Sequence, residues 1–307
     1  MTTGVLMLTG QTAAGKTALA MQLAERFDAE IVGADSRQVY RDMPIGTASP
    51  SPAEQARVPH HLVGFLDPHE RYSAARFVGD ALGAIDEIQA RGRRPLVVGG
   101  TGFYLRALAG DVTLSPLRDD ALRARLVHEA RVHTPAVLHE WLAALAPHRA
   151  RGLAPGDHYR VARALEIALA ERKGAEGTRE AVETGPRSLR AFAIPFRKVY
   201  LEVDDAMLEG RIAARIDGML AAGFLEEAER VGGTAVAADA VGYREALAYL
   251  AGWSSLDELR AALVRATRRY AKRQATWFHR EPDLLRVPAE RAFEELSAVA
   301  AALPGWG

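Results

Sequence analysis

The first patterned stretch of the chain is Val5-Leu6-Met7-Leu8-Thr9-Gly10-Gln11-Thr12-Ala13-Ala14-Gly15-Lys16-Thr17. An apolar run of strand length, Val5 to Thr9, stops at a glycine; beyond Lys16, Leu19, Leu23 and Phe27 recur at helical spacing. Between the two lies Gly10-Gln11-Thr12-Ala13-Ala14-Gly15-Lys16-Thr17, which satisfies G-x-x-x-x-G-K-[ST] in the strand-then-helix setting that gives the pattern its meaning. Successive backbone N–H groups and the following helix N-terminus make a concave anion site. Lys16 adds a mobile positive charge, and the Thr17 hydroxyl can ligate Mg²⁺. The eight residues are therefore candidates for holding a phosphate or diphosphate.

Outward from that loop, Glu30 to Ala34 and Arg94 to Val98 are two further apolar runs, the latter reached through a helical stretch from Phe77 to Ile88. Strands separated by helices predict an α/β fold of the P-loop NTPase-like kind, a mainly parallel sheet with flanking helices. In such a sheet the strand ends return to one edge, so Asp35, Ser36 and Gln38 are expected to face the phosphate loop, and Thr101 with them. The third strand ends in Gly99-Gly100-Thr101-Gly102 and carries no acid, unlike the Mg²⁺-holding strand of many nucleotide hydrolases, so another diphosphate can occupy the loop. Alone, Asp35-Ser36 reads equally as a cap or turn, and the glycine cluster as a tight turn.

Pro44 to Pro68, rich in Pro, Gly and His, reads as a long loop. From about Pro116 to Leu169 every signal is helical, with breaks at Thr134-Pro135, Pro147 and Pro155-Gly156. This predicts an all-helical insertion over 113–186, dividing a core of 1–112 and 187–307. Lys173 to Pro186 has almost no apolar content and reads as a mobile segment; Arg190 to Ile194 and Val199 to Val203 read as strands; and Asp204 or Asp205 caps a return to helix running to about His279.

Composition excludes whole classes. In 307 residues, 49% hydrophobic and 25% charged content rules out a wholly disordered or collagen-like chain. The absence of cysteine rules out disulfides and thiolate chemistry. The opening MTTGVLMLTG has no basic leader region and no apolar run approaches about 18 residues, which predicts no membrane partner and a cytoplasmic protein. The 39 basic and 39 acidic residues cancel, so affinity for a polyanion must come from local clustering. Arg260 to Arg280 supplies one, with seven Lys or Arg residues and no acid, interleaved with Tyr270 and Trp277. Arg265, Arg268, Arg269 and Lys272 fall on one helix face, which reads either as solvated surface or as a nucleic-acid contact. Arg123, Arg125, Arg160 and Arg163 are weaker candidates of the same kind. His128-Glu129 with His133 imitates a zinc motif at the wrong spacing, and His60-His61 reads as structural or substrate-lining.

These strings together resemble the tRNA dimethylallyltransferases, also called tRNA isopentenyltransferases. The resemblance lies in Gly10 to Thr17, Asp35-Ser36-Arg37-Gln38-Val39-Tyr40, Ile45-Gly46-Thr47-Ala48, Pro59-His60-His61-Leu62, Tyr72-Ser73-Ala74 and Gly99-Gly100-Thr101-Gly102-Phe103-Tyr104-Leu105. It continues in Val241-Gly242-Tyr243-Arg244 and Ala271-Lys272-Arg273-Gln274-Ala275-Thr276-Trp277, and is weakest over about 113–186. It implies transfer of a dimethylallyl group from dimethylallyl diphosphate to N6 of the adenosine immediately 3′ of the anticodon in tRNA, with Mg²⁺ and release of diphosphate. Asp35 is similar to the family's general base and Thr101 to a residue contacting the target nucleotide. Ser36, Arg37 and Gln38 resemble its tRNA-facing segment, with Gln38 in the nucleoside pocket. Arg211 and Arg215 both resemble the family's diphosphate clamp, with Arg215 favoured. The family usually has Pro where Gln11 stands and often Ser where Ala14 stands. The resemblance also tips the basic stripe toward tRNA. Three rivals remain at this point: a P-loop kinase, an isopentenyltransferase of free adenylate, and a non-catalytic RNA-binding protein.

Overall fold

The computed structural model describes residues 2–112, 114, 120–176 and 187–307. It divides the chain into two compact units, Met1–Val112 with Pro186–Gly307, and Thr113–Gly185. The first unit is built on a six-stranded sheet in the order β3-β2-β4-β1-β5-β6. Its strands are β1 (Val5–Gly10), β2 (Ala29–Gly33), β3 (His60–His61), β4 (Arg94–Val98), β5 (Phe196–Glu202) and β6 (Leu284–Pro288), every pairing parallel. A central parallel strand covered on both faces has no reason to alternate, and all six residues of β1 are buried. On one face Leu6, Leu8, Leu96, Val199 and Leu201 pack against Leu19 and Leu23 of α1 (Lys16–Phe27) and Leu296 of the last helix.

Between β2 and β3 lie α2 (Pro44–Thr47) and α3 (Pro52–Arg57), so the region expected as a bare loop carries two short helices and an edge strand. Pro44 and Pro52 each stand in a helical first turn, where a missing N–H costs nothing, and Ser51 with Glu54 closes a capping box on α3. Next come α4 (Ala74–Ala90) and, after β4, α5 (Gly102–Ala109).

Arg190 to Ile194 is a turn, not a strand. Phe192 N donates to Ser188 O, Ile194 N donates to Leu189 O, and Ala193 takes a φ of 53°. The strand of this region starts beyond Pro195, as β5. Asp204 is the N-cap, accepting from Ala206 N and Met207 N, and α10 (Asp205–Ala221) follows with α11 (Phe224–Val231), α12 (Tyr243–Leu250) and α13 (Leu256–His279). The edge strand β6 then precedes α14 (Ala292–Ala301).

The second unit, described by itself, contains α6 (Asp120–Val132), α7 (Pro135–Leu145), α8 (Pro147–Ala150) and α9 (His158–Glu176) around Leu122, Leu126, Leu138, Leu142, Val161 and Leu165. The first residues of the polar stretch 173–186 continue α9; 177–186 lie outside the described residues. Among the described residues no helix is long and apolar enough to cross a membrane.

Candidate active site

The phosphate loop turns between β1 and α1. Gly15 caps the helix at φ 98°, a left-handed conformation that costs glycine little, and Ala13 also has a positive φ, 63°. Lys16 Nζ donates to the carbonyls of Gly10 at 3.0 Å and Gln11 at 2.8 Å, so its ammonium is held across the loop. Burial pulls Lys16 down to about 8 from an ordinary 10.5; Asp35 opposes that fall and Arg215 adds to it. The carboxylate of Asp35 and the cations of Lys16 and Arg215 therefore occupy one electrostatic neighbourhood.

Two arginines of α10 reach the same loop. Arg211 donates to Ala14 O at 2.9 Å, and Arg215 to Thr12 Oγ1 at 3.0 Å. One turn of helix separates them, and both are used. Burial also lowers the Arg215 guanidinium, with Asp35 and Tyr270 acting the other way.

Asp35 lies two residues beyond the end of β2, and Thr101 three beyond the end of β4. Asp35 Oδ1 accepts from Arg37 N at 2.9 Å, a local turn that fixes the carboxyl group. Among the described residues nothing hydrogen-bonds to its Oδ2. Thr101 Oγ1 accepts from Ser36 N at 3.0 Å, binding the two strand ends together. Gln38 Nε2 donates to both Thr47 O and Ala48 O, so its orientation is settled and Oε1 is left as the free acceptor among the described residues. Arg37 is turned outward in an ion pair with Asp239.

The glycine cluster Gly99-Gly100-Thr101-Gly102 has a reason other than turn geometry, for none of its glycines has a positive φ. A Cβ on Gly99 would stand 2.1 Å from Ala34 O, on Gly100 2.3 Å from Gln274 Nε2, and on Gly102 2.1 Å from Trp277 Nε1. Each glycine admits a neighbour. Two of those neighbours, Gln274 and Trp277, belong to α13, where the sequence offered them only within a family-like string beside a basic outer face and gave them no role. Gln274 is buried, accepting from Thr12 N at 2.8 Å and donating to Gly100 O at 3.0 Å, while Gln11 Nε2 donates to Ala271 O one turn earlier.

A second buried group also escaped the sequence. Glu227, fully buried on α11, accepts from Ile45 N at 2.8 Å, Gly46 N at 2.7 Å and the Tyr243 hydroxyl at 2.7 Å. It anchors α2, whose end supplies the carbonyls that hold Gln38. The strings around Gly46 and Tyr243 are thus two halves of one packing contact.

Arg265, Arg268, Arg269 and Lys272 are all exposed on α13, as their spacing predicts. Arg268 is paired with Glu209, and Arg260 is paired bidentately with Asp217, so the charge left open on this face is that of Arg265, Arg269 and Lys272. In the helical unit Arg160 is tied to Asp157 and Arg163 to the buried Glu166; Arg123 is half-buried and Arg125 exposed. His61 pairs with the buried Glu30 at 2.6 Å, beside Arg91, and serves the edge of the sheet. Among the described residues no group of three His, Cys, Asp or Glu could hold a metal.

A parallel sheet whose central strand runs into a phosphate loop, with the carboxylate that follows another strand acting on the loop lysine, defines a P-loop enzyme of group transfer. The chain matches the family model described as IPP transferase over residues 38–281, and that of isopentenyl transferase over residues 3–60. It is 42% identical to a tRNA dimethylallyltransferase of Geobacter sulfurreducens, covering 97% of this chain and 96% of that one. With the Bordetella petrii protein of the same description it shares 46%, over 92% and 91%. A solved tRNA isopentenylpyrophosphate transferase of Bacillus halodurans superposes with a TM-score of 0.69 at 33% identity, covering 97% of this chain and 95% of that one. A eukaryotic dimethylallyltransferase, captured acting on tRNA, superposes at 0.77 with 27% identity, covering 97% and 78%. The chain belongs to the tRNA dimethylallyltransferase family.

Proposed function

We propose that this enzyme transfers the dimethylallyl group of dimethylallyl diphosphate to N6 of the adenosine immediately 3′ of the anticodon in tRNA, releasing diphosphate. The observation that carries the reading is that the Asp35 carboxylate shares one electrostatic neighbourhood with Lys16 of the phosphate loop and Arg215 of α10. Lys16, Arg211 and Arg215 all donate to that loop, and Asp35 and Thr101 follow strands of the same sheet.

An exocyclic adenine amine is a weak nucleophile, because its lone pair is delocalised into the ring. As that lone pair forms the C–N bond to C1 of the dimethylallyl group, the C–O bond to diphosphate breaks and its electron pair leaves with the diphosphate. Asp35, with Oδ2 open, takes the proton that N6 sheds. The charge gathering on the leaving group falls among Lys16, Arg215 and the loop amides other than those of Thr12 and Ala14, which donate within the protein. Thr101 and Ser36 orient the acceptor nucleoside, and Gln38 presents a fixed acceptor to it. Mg²⁺ suits the donor set: magnesium prefers oxygen ligands and substrate phosphates to an all-protein cage, and the Thr17 hydroxyl stands in the first turn of α1. When bound, the ion would neutralise part of the diphosphate charge.

The core, 1–112 and 187–307, carries this chemistry and, on the outer face of α13, a tRNA-binding surface of Arg265, Arg269 and Lys272, with Arg268 shared with Glu209. The insertion 113–186 adds a second RNA-facing surface through Arg123, with Arg160 and Arg163 in lesser roles because each already has a carboxylate partner. A tRNA substrate and a cysteine-free chain fit work in the cytoplasm.

Incubation with dimethylallyl diphosphate, Mg²⁺ and unmodified tRNA, followed by nucleoside mass analysis, tests the proposal; ATP in place of the prenyl donor is the control. Prenylated adenosine is the expected product. Phosphoryl transfer from ATP, with no prenyl transfer, would favour a kinase on the same sheet.

A further inference from the structure

We infer that Gln274 is a positioning residue that sets the distance between the diphosphate-holding loop and the segment carrying Thr101. The inference rests on the function proposed above and concerns a side chain outside the charged and nucleoside-facing groups of the crevice.

The Gln274 amide is used at both ends, and chemistry fixes which end goes where. A backbone N–H at Thr12 needs an acceptor and a carbonyl at Gly100 needs a donor, so the amide cannot be flipped without losing both bonds. The fit is close: the Nε2 atom stands where a Cβ on residue 100 would be, 2.3 Å away, so glycine is required there for the amide to enter. One turn to either side, Ala271 O accepts from Gln11 Nε2 and Trp277 covers Gly102. One face of α13 thus runs along both loops and holds each by its backbone. Thr101, between the two clasped glycines, in turn holds Ser36 N beside Asp35.

The geometric consequence concerns rate more than affinity. The phosphate loop can bind its anion wherever it sits, and the nucleoside-facing residues can bind theirs. Displacement at C1, however, requires attacking nitrogen and carbon to approach in line, where an error of about 1 Å can cost on the order of 100-fold. A side chain bridging the two loops is placed to control that approach. An apolar residue here would also leave Thr12 N and Gly100 O short of a partner, loosening both loops together.

Two variants separate this role from simple packing. Gln274→Met keeps the volume and loses both bonds; Gln274→Glu keeps the acceptor for Thr12 N and loses the donor to Gly100 O. With saturating tRNA and dimethylallyl diphosphate, the Met variant is expected to lose roughly 30- to 100-fold in kcat. Its KM for the prenyl donor and its Kd for tRNA should stay within about threefold of wild type, because neither bond involves a ligand. Amide hydrogen exchange gives a readout independent of turnover. In the Met variant segments 10–17 and 99–104 should both exchange faster, whereas in the Glu variant only 99–104 should.

A Met variant whose kcat stays within threefold overturns the proposal, as does one in which kcat, KM and tRNA affinity decline in parallel with the unfolding temperature. Should wild type itself transfer no prenyl group, the functional reading fails, and exchange still decides the clasp: unchanged exchange in both segments of the Met variant overturns it.

Discussion

Arg215 donates to the Thr12 hydroxyl at 3.0 Å, so a guanidinium from α10 is fixed against the phosphate loop. Its neighbour Arg211 holds the Ala14 carbonyl instead, at the loop's outer side. Arg215→Ala and Lys16→Ala should each raise the KM for dimethylallyl diphosphate and lower kcat, since both charges oppose the developing diphosphate charge; losses on the order of 100-fold or more in kcat/KM are expected. Arg211→Ala, which removes a more exposed cation, should cost less. Steady-state kinetics with inorganic diphosphate as a competitive inhibitor rank the three. An Arg211 variant more damaged than the Arg215 variant would reverse the assignment.

Asp35 is held by Arg37 N through one oxygen and leaves the other open. Asp35→Ala should therefore lower the single-turnover rate far more than it weakens tRNA binding, by roughly 100-fold or more against a change of a few-fold. Filter binding and single-turnover prenylation on the same preparation check this. Equal losses in both would make Asp35 a binding or folding residue.

Lys16 sets a pH dependence of opposite sign in two measurements. Burial holds its pKa at about 8 in the folded protein, against 10.5 ordinarily. Between those values the unfolded chain keeps a proton that the folded protein has shed, so this group makes stability rise with pH over the window, while below about 8 the cost of the buried charge is fully present. Affinity for diphosphate goes the other way, because the loop needs the ammonium charged. The ratio of wild-type to Lys16→Gln affinity for inorganic diphosphate should fall above about pH 8, by at most tenfold per unit. Taking the ratio removes the ligand's own titration. A ratio constant from about pH 7 to 10 would place the Lys16 charge elsewhere in the cycle.

On the outer face of α13, Arg265, Arg269 and Lys272 are exposed without carboxylate partners among the described residues, whereas Arg268 already has Glu209. If they meet tRNA phosphates, log affinity falls linearly with log salt as counterions are released. Replacing Arg265 and Arg269 with Gln should shallow the slope by roughly 0.7 to 0.9 for each phosphate no longer neutralised. Arg268→Gln should change it less. The prenyl-transfer step at saturating tRNA should survive in both variants. A double variant with unchanged slope and affinity would return this face to ordinary solvated surface.

The phosphate loop was legible because everything that defines it is contiguous: strand, glycines, lysine and helix start fall within Val5 to Phe27. The parallel sheet followed from the same local rhythm, and the convergence of Asp35 and Thr101 from the way parallel strands return to one edge. What sequence reasoning missed is set by distant partners. Gln274 acquires its role only when α13 lies across Thr12 and Gly100, and Glu227 only when α11 meets Ile45 and Gly46. The edge strand β3 has only two residues, too few for a period, and β6 is broken by Arg286 and buries only Val287, so both take their state from pairing with β2 and β5. Arg190 to Ile194 has the composition of a strand, yet local turn bonds ahead of Pro195 prevail.

Gly46 offers a test of the buried Glu227 anchor. A Cβ there would fall 2.5 Å from the Tyr243 hydroxyl and 2.6 Å from the Phe224 ring, inside a cluster where both aromatics are fully buried and cannot swing away. Gly46→Ala must push α2 off Glu227, at an expected cost of about 1–3 kcal/mol from overpacking. Because the end of α2 supplies the Thr47 and Ala48 carbonyls that orient Gln38, the same variant should weaken productive use of tRNA more than binding of diphosphate at the distant loop. Gly79→Ala is the matched control: it lies within α4 with nothing within 4 Å of its added Cβ, and should gain roughly 0.5–1 kcal/mol from helix propensity. Thermal unfolding of the two variants, with tRNA and diphosphate affinities measured on each, checks both signs. A Gly46 variant as stable as wild type, with unaltered tRNA kinetics, would mean that Gln38 is not held in place through Glu227.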